Sequence, residues 1–147
     1  MSNYFFENIK DIISNENFQS MKKYIQHGKT SVYTHSLILA YICYKKSLKY
    51  KNIDRRSLIR GALLHDYFLY DWHLPRIVNK RKGLHGYNHP KVALNNANND
   101  FKLNKKEKNI IRSHMWPLTF FHMPLSKEAW LVCKYDKILS IKETRKK

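Results

Sequence analysis

An all-α fold, a compact orthogonal bundle of six or seven helices, is predicted by three observations. Apolar residues recur at helical spacing through most of the chain. Strand-type alternation is absent. Residues that cap helices stand just ahead of the periodic stretches. The elements follow in order. Residues 3–13 form a short first helix. Asn15 or Asn17 caps a second that runs to about His27, with Gly28 in the position just past its end. Thr30 or Ser31 opens a long helix to about Tyr50, and Asp54 caps the next, from Arg55 to about Asp66. The stretch 67–88 holds Pro75, Gly83 and Gly86 and reads mainly as loop with at most a short helical turn. Pro90 suits the first turn of a helix over 90–99. Asn104 caps another that ends near Met115, before Pro117, and Ser126 caps the last, over about 127–143.

Composition narrows the class. At 147 residues and 43% apolar, the chain can bury a real core as one domain. No apolar run approaches the roughly 18–20 residues that a membrane-spanning helix needs, and the N-terminus lacks the features of a secretory signal. Cys43 and Cys133 lie far apart among apolar neighbours and read as small buried hydrophobes of a reducing compartment. A cytoplasmic protein with no membrane partner is expected. The net charge of +17 points either to an anionic partner or to codon bias, since lysines outnumber arginines 21 to 7 and no basic block forms an arm.

The residues that carry chemistry are His35, the pair His65-Asp66, His89, His114 and Asp136. His35 shares a helical face with Ile38, Leu39 and Ile42. His65 follows Leu58, Gly61 and Ala62, where glycine permits close approach. His114 follows Ile110 and Ile111, Asp136 follows Ala129, Val132 and Cys133, and His89 leads Val92 and Ala93. Five segments thus turn an imidazole or carboxylate toward apolar neighbours, where burial is costly without a partner. A divalent cation is the simplest compensation. Nitrogen and carboxylate ligands together favour Mn, Fe, Co, Ni or Zn over Mg or Ca. One or two such ions are expected.

These residues resemble the HD-domain superfamily of metal-dependent phosphohydrolases. The resemblance covers roughly residues 27–141 and rests on Thr34-His35-Ser36, Gly61-Ala62-Leu63-Leu64-His65-Asp66, His89-Pro90, His114 and Asp136. It implies a single domain with N-terminal helices over 1–28 and a metal-binding core over 29–143. It also implies that His35, His65, Asp66 and Asp136 hold a first metal. His89 and His114 resemble the added pair of two-metal members, with Asp66 bridging. Two departures matter. The Ile-Gly-Lys that often follows the His-Asp pair is replaced by Tyr67-Phe68-Leu69, so its lysine is missing. Gly86-Tyr87-Asn88 only approaches the Gly-Tyr-Pro of cyclic-dinucleotide phosphodiesterases.

The expected activity is hydrolysis of a small phosphate ester, with a nucleotide favoured over a sugar phosphate. A bound metal pair would make a water nucleophilic toward phosphorus at neutral pH. Arg76, Lys80, Arg81, Lys82 and Lys91 either contact the substrate phosphate or are simply solvated. His85 is a general acid beside Asp66, an alternative ligand, or a surface histidine. Asp71 and His73 could line the mouth, whereas His27 and His122 carry less weight. Tyr67, Phe68, Tyr70, Trp72, Trp116 and Phe120 form either a stacking wall or part of the core. Two other activities stay open: a dinuclear-iron oxygenase, which relatives of this fold provide with the same ligand pattern, and nucleic-acid binding driven by charge. The sequence shows no nucleic-acid-reading motif and leaves the oligomeric state open.

Overall fold

The computed structural model describes residues 3–75 and 84–146. Seven α-helices account for most of them, so the all-α expectation holds. They are α1 (Asn3–Ile13), α2 (Glu16–Ser20), α3 (Val32–Ser47), α4 (Arg55–Leu64), α5 (His85–Asp100), α6 (Lys105–Ser113) and α7 (Lys127–Arg145). No helix among the described residues is long and apolar enough to cross a membrane. Cys43 and Cys133 are buried free thiols.

The predicted caps are in place because each offers an oxygen to an otherwise unpaired N–H of the first turn. Asn15 accepts from Phe18, Ser31 from Thr34, Asp54 from Ser57 and Ser126 from Ala129, at 3.0–3.1 Å. Asn104 makes a full capping box: it accepts from Glu107 N at 2.8 Å while Glu107 Oε1 accepts from Asn104 N at 3.1 Å.

Helix α4 is the hub of the bundle. Every residue from Ser57 to Leu64 is buried, so it needs a polar anchor as well as an apolar one. Arg60 supplies the polar anchor, reaching both oxygens of Asp11 at 2.7 and 3.0 Å, the Asn8 carbonyl at 2.8 Å and Glu107 at 3.3 Å. Gly61 lets α6 approach, because a Cβ there would lie 2.7 Å from Ile110 side-chain atoms. Phe5, Ile9, Leu39, Leu58, Leu63 and Ile111 are among the apolar side chains around this axis, all essentially solvent-free.

Two segments differ from the sequence expectation. The second helix stops at Ser20, tightens into a 3-10 turn (Met21–Lys23) and gives way to a small antiparallel hairpin, β1 (Ile25–His27) with β2 (Thr30–Ser31). The chain turns at Gly28, whose φ of +58° is the left-handed geometry expected of it, but in a hairpin rather than at a helix end. Three strand residues are too few to show alternation, and the extended form is fixed by where Gln26 and its neighbours pack. The second difference is α5, which begins at His85 rather than near Pro90. Leu84 precedes it without a side-chain cap, so no start signal was legible. Pro90 therefore lies inside the helix, where its missing N–H leaves the Gly86 carbonyl without its helical donor.

Candidate metal centre

The ends of helices bring the candidate ligands together. Helix α4 terminates at Leu64, with His65 as its C-cap and Asp66 immediately beyond. His114 occupies the same place at the end of α6. His35, His89 and Asp136 come from within α3, α5 and α7. All six are buried, and His35, His65 and His114 have no exposed surface.

They form two groups that share one residue. His35, His65, Asp66 and Asp136 each place a ligand atom within 4.8 Å of the others, as do Asp66, His89 and His114. Asp66 serves the two groups with different oxygens. Its Oδ2 lies 3.0 Å from His65 Nε2 and 3.7 Å from His35 Nε2, whereas Oδ1 lies 3.2 Å from His89 Nε2 and 3.3 Å from His114 Nε2. Asp136 Oδ1 completes the first group, 2.9 Å from His35 Nε2 and 3.3 Å from His65 Nε2.

The histidine tautomers follow from their outer partners. His65 Nδ1 is 2.6 Å from the Ala62 carbonyl, His89 Nδ1 is 2.7 Å from the His85 carbonyl and His114 Nδ1 is 2.8 Å from the Ile111 carbonyl. His35 Nδ1 is 2.7 Å from Glu143 Oε2. Carbonyls and carboxylates only accept, so all four rings carry their proton on Nδ1 and turn Nε2 inward. This is how ligating histidines are usually oriented.

The set fits a cation. His89 Nε2 and His114 Nε2 stand 2.9 Å apart, a distance at which two bare lone pairs repel. His65 Nε2 and Asp66 Oδ1 are buried without a properly aimed hydrogen bond, although each lies close to an ionisable neighbour. A cation among these atoms satisfies them together. Without one, protons must take its place. Burial pulls the His35 imidazolium down, but Asp136 and Glu143 outweigh it and raise the pKa to about 9. Burial likewise opposes charge on His65, and Asp66 and Asp136 overcome it. Burial also disfavours the two carboxylates, yet His65 and the neighbouring rings hold Asp66 and Asp136 well below the usual aspartate range. His114 goes the other way, because burial outweighs the pull of Asp66. The centre can hold a metal ion, bound by nitrogen and carboxylate donors.

A cavity of about 530 Å³ opens onto Asp66, His89 and Asp136, within the size range of small-molecule sites. His85 lies in its wall, with Nδ1 2.7 Å from the Tyr70 hydroxyl and its ring stacked on those of Trp72 and His89. His27 also lines it, its ring edge-on to His35. Of the proposed aromatic wall, Trp72 borders the cavity, while Tyr67 and Phe68 are buried core and Phe120 points into solvent. Trp116 packs edge-on against Trp130. Lys91 is exposed and does not line the cavity; two residues past His89, it is turned about 200° around the helix from that ligand. Asp71 and His73 pair with each other at 3.3 Å and lie outside the lining too. His122 is exposed beside Arg112, at 3.0 Å. Arg76, Lys80, Arg81 and Lys82 fall outside the described residues.

Three side chains join the site without having been singled out in the sequence. Glu143 orients His35, and its spacing of seven from Asp136, two helical turns on the same face, is a legible signal. Gln26 donates its amide to Asp66 Oδ2 and accepts from Trp72 Nε1 at 3.1 Å; nothing in the sequence marks it. Lys137 lines the cavity and donates to the His114 carbonyl at 3.1 Å and to the Cys133 carbonyl at 3.4 Å, with Cys133 Sγ 3.1 Å away. No family model, curated protein or solved structure matches the chain, and the chemistry of this centre is therefore read from its own atoms.

Proposed function

We propose that the protein is a metal-dependent phosphohydrolase of the HD type, a phosphatase or phosphodiesterase acting on a small phosphate ester, with a nucleotide favoured. The observation that carries this reading is the double cluster divided by Asp66. Four imidazoles with committed Nδ1 protons face inward on the two oxygens of one carboxylate, beside a cavity large enough for such a substrate. A bound divalent pair would supply Lewis acidity toward phosphoryl oxygens and make a water nucleophilic at neutral pH. His35, His65, Asp66 and Asp136 would hold one ion, and Asp66, His89 and His114 the other. Mn, Fe, Co, Ni and Zn suit this donor set.

The chain's own groups account for the remaining tasks. Gln26 and Glu143 fix the orientation of Asp66 and His35. His85, held at the cavity wall by Tyr70 and Trp72, is placed to give a proton to a leaving oxygen. Lys137 contributes positive charge beside Asp136. Metal analysis of protein purified without added metal, followed by a phosphoester panel with each candidate ion, tests this reading. Activity lost in Asp66→Ala supports it, and a metal-loaded protein inert across the panel overturns it.

A specific observation favours a second reading, a dinuclear-iron oxygenase. Lys137 is the only lysine or arginine among the described residues lining the cavity, and its ammonium is already engaged with the protein backbone. Trp72, Met115 and Ile141 add an apolar lining. An iron signal by paramagnetic resonance with substrate-dependent oxygen uptake would establish it, and a colourless, oxygen-insensitive active enzyme would remove it.

A further inference from the structure

The loop between α6 and α7 presents an apolar tip that the interior does not use. Phe121 is 92% exposed, Leu125 78% and Phe120 68%, and Leu118 and Met123 are close to half exposed. Phe120 and Phe121 pack edge-on against each other, at 5.6 Å between ring centroids, so the tip is a cluster rather than scattered side chains. Its base is anchored. The Asn109 amide donates to the Met123 carbonyl at 3.2 Å, and Asn109 Oδ1 accepts from Leu125 N at 2.9 Å.

The anchor places charge beside the tip. Lys105, Lys108, Asn109 and Arg112 are spaced at i, i+3, i+4 and i+7 and share one stripe of α6. Asn109 grips the loop, so the stripe runs along its edge. Arg112 also meets His122 of the loop at 3.0 Å. Lys127 is exposed at the other end. The acids nearby are fewer than the cations: Glu107 and Glu128 are 1% and 3% exposed, and the exposed Asp54 sits beside Glu128 at the start of α6, against Lys105, Lys106, Lys108, Arg112 and Lys127.

We propose that this loop docks the protein on an anionic membrane surface, with Phe120, Phe121 and Leu125 entering the headgroup boundary and Lys105, Lys108 and Lys127 facing lipid phosphates. Aromatic and aliphatic tips ringed by lysine suit such an interface. A second copy of the chain is a poor occupant, because a symmetric contact would bring the same lysine-rich edges together on molecules that each carry +17. The expectation of no membrane partner rests on the lack of a spanning segment, and that criterion does not apply to an interfacial loop. The surface also borders the site: Leu118 lies against Gly86 of the cavity lining. The docking proposal is independent of the reaction assigned to the metals.

Cosedimentation of the full chain with vesicles of phosphatidylcholine alone, and of phosphatidylcholine mixed with phosphatidylglycerol, tests it. Binding to the anionic vesicles alone is expected. A Phe120→Ser, Phe121→Ser double variant should weaken it by at least about tenfold, since each ring buries apolar area on insertion. Lys108→Glu should weaken it by several-fold, an effect that shrinks as salt is raised. Both changes are at exposed positions, so unchanged circular dichroism and metal content are expected. Three results overturn the proposal: equal association with both vesicle types, undiminished binding by the double variant, or no vesicle binding, with a dimer or a single-stranded RNA complex that the double variant abolishes then identifying the occupant.

Discussion

Asp66 carries the heaviest demand of any side chain, because each of its oxygens faces a different cluster. Asp66→Ala is therefore expected to disable both candidate metal positions, giving no bound metal by elemental analysis after desalting. Glu143 acts one step further out. Its carboxylate holds the His35 proton on Nδ1, and outer partners of this kind are worth about 10–100-fold in metal affinity. Glu143→Gln should lower affinity within that range in a metal titration, while the protein stays folded. If both variants retain wild-type metal content, the assignment of the ligand set fails.

At the scale of the element, the caps and the α4–α6 contact decide stability. Asn104→Ala removes one half of a capping box and should cost about 1 kcal/mol. Gly61→Ala pushes a methyl into Ile110, which leaves no room, and should cost about 1–3 kcal/mol. Urea unfolding midpoints compared at equal m-value check both. These same elements explain what the sequence could reveal. Ser31, Asp54, Asn104 and Ser126 could be read as caps because an N-cap is a local event that involves one side chain and one nearby N–H. The six candidate ligands could be read because an imidazole or carboxylate at an apolar helical position is costly to bury without a partner. The hairpin and the early start of α5 escaped, since Leu84 has no capping group and Gln26 takes its role from Asp66, 40 residues away. Whether two clusters share Asp66 depends on how helix ends converge, and no single segment encodes that.

For the whole molecule, protons and a metal ion would compete for one buried centre. In the metal-free protein His35 has a folded pKa of about 9 against an ordinary 6.5. Its contribution to stability is thus fully present below about pH 6.5 and is lost as pH climbs through 9. Asp66 and Asp136 are lowered. Their contribution is present above about pH 4 and falls away in acid. A metal ion needs neutral imidazoles, so added metal should raise the melting temperature more at pH 9 than at pH 6. At a hundredfold excess over Kd the stabilisation is about 2.7 kcal/mol, or roughly 5–10 °C for a domain of this size. Calorimetry with and without chelator at the two pH values measures it. An equal shift at both would mean that protons and metal do not meet at His35.

The position of Asp66 between the clusters has a consequence for how the centre fills. A carboxylate pulled toward one occupant is reoriented, and its remaining oxygen changes in basicity, before the next occupant arrives. Two ions held by these clusters would therefore be linked by reciprocal free energy and would not titrate as independent sites. Loading should follow a curve steeper or shallower than a simple hyperbola, and mixed-metal forms should depend on the order of addition only while exchange is slow.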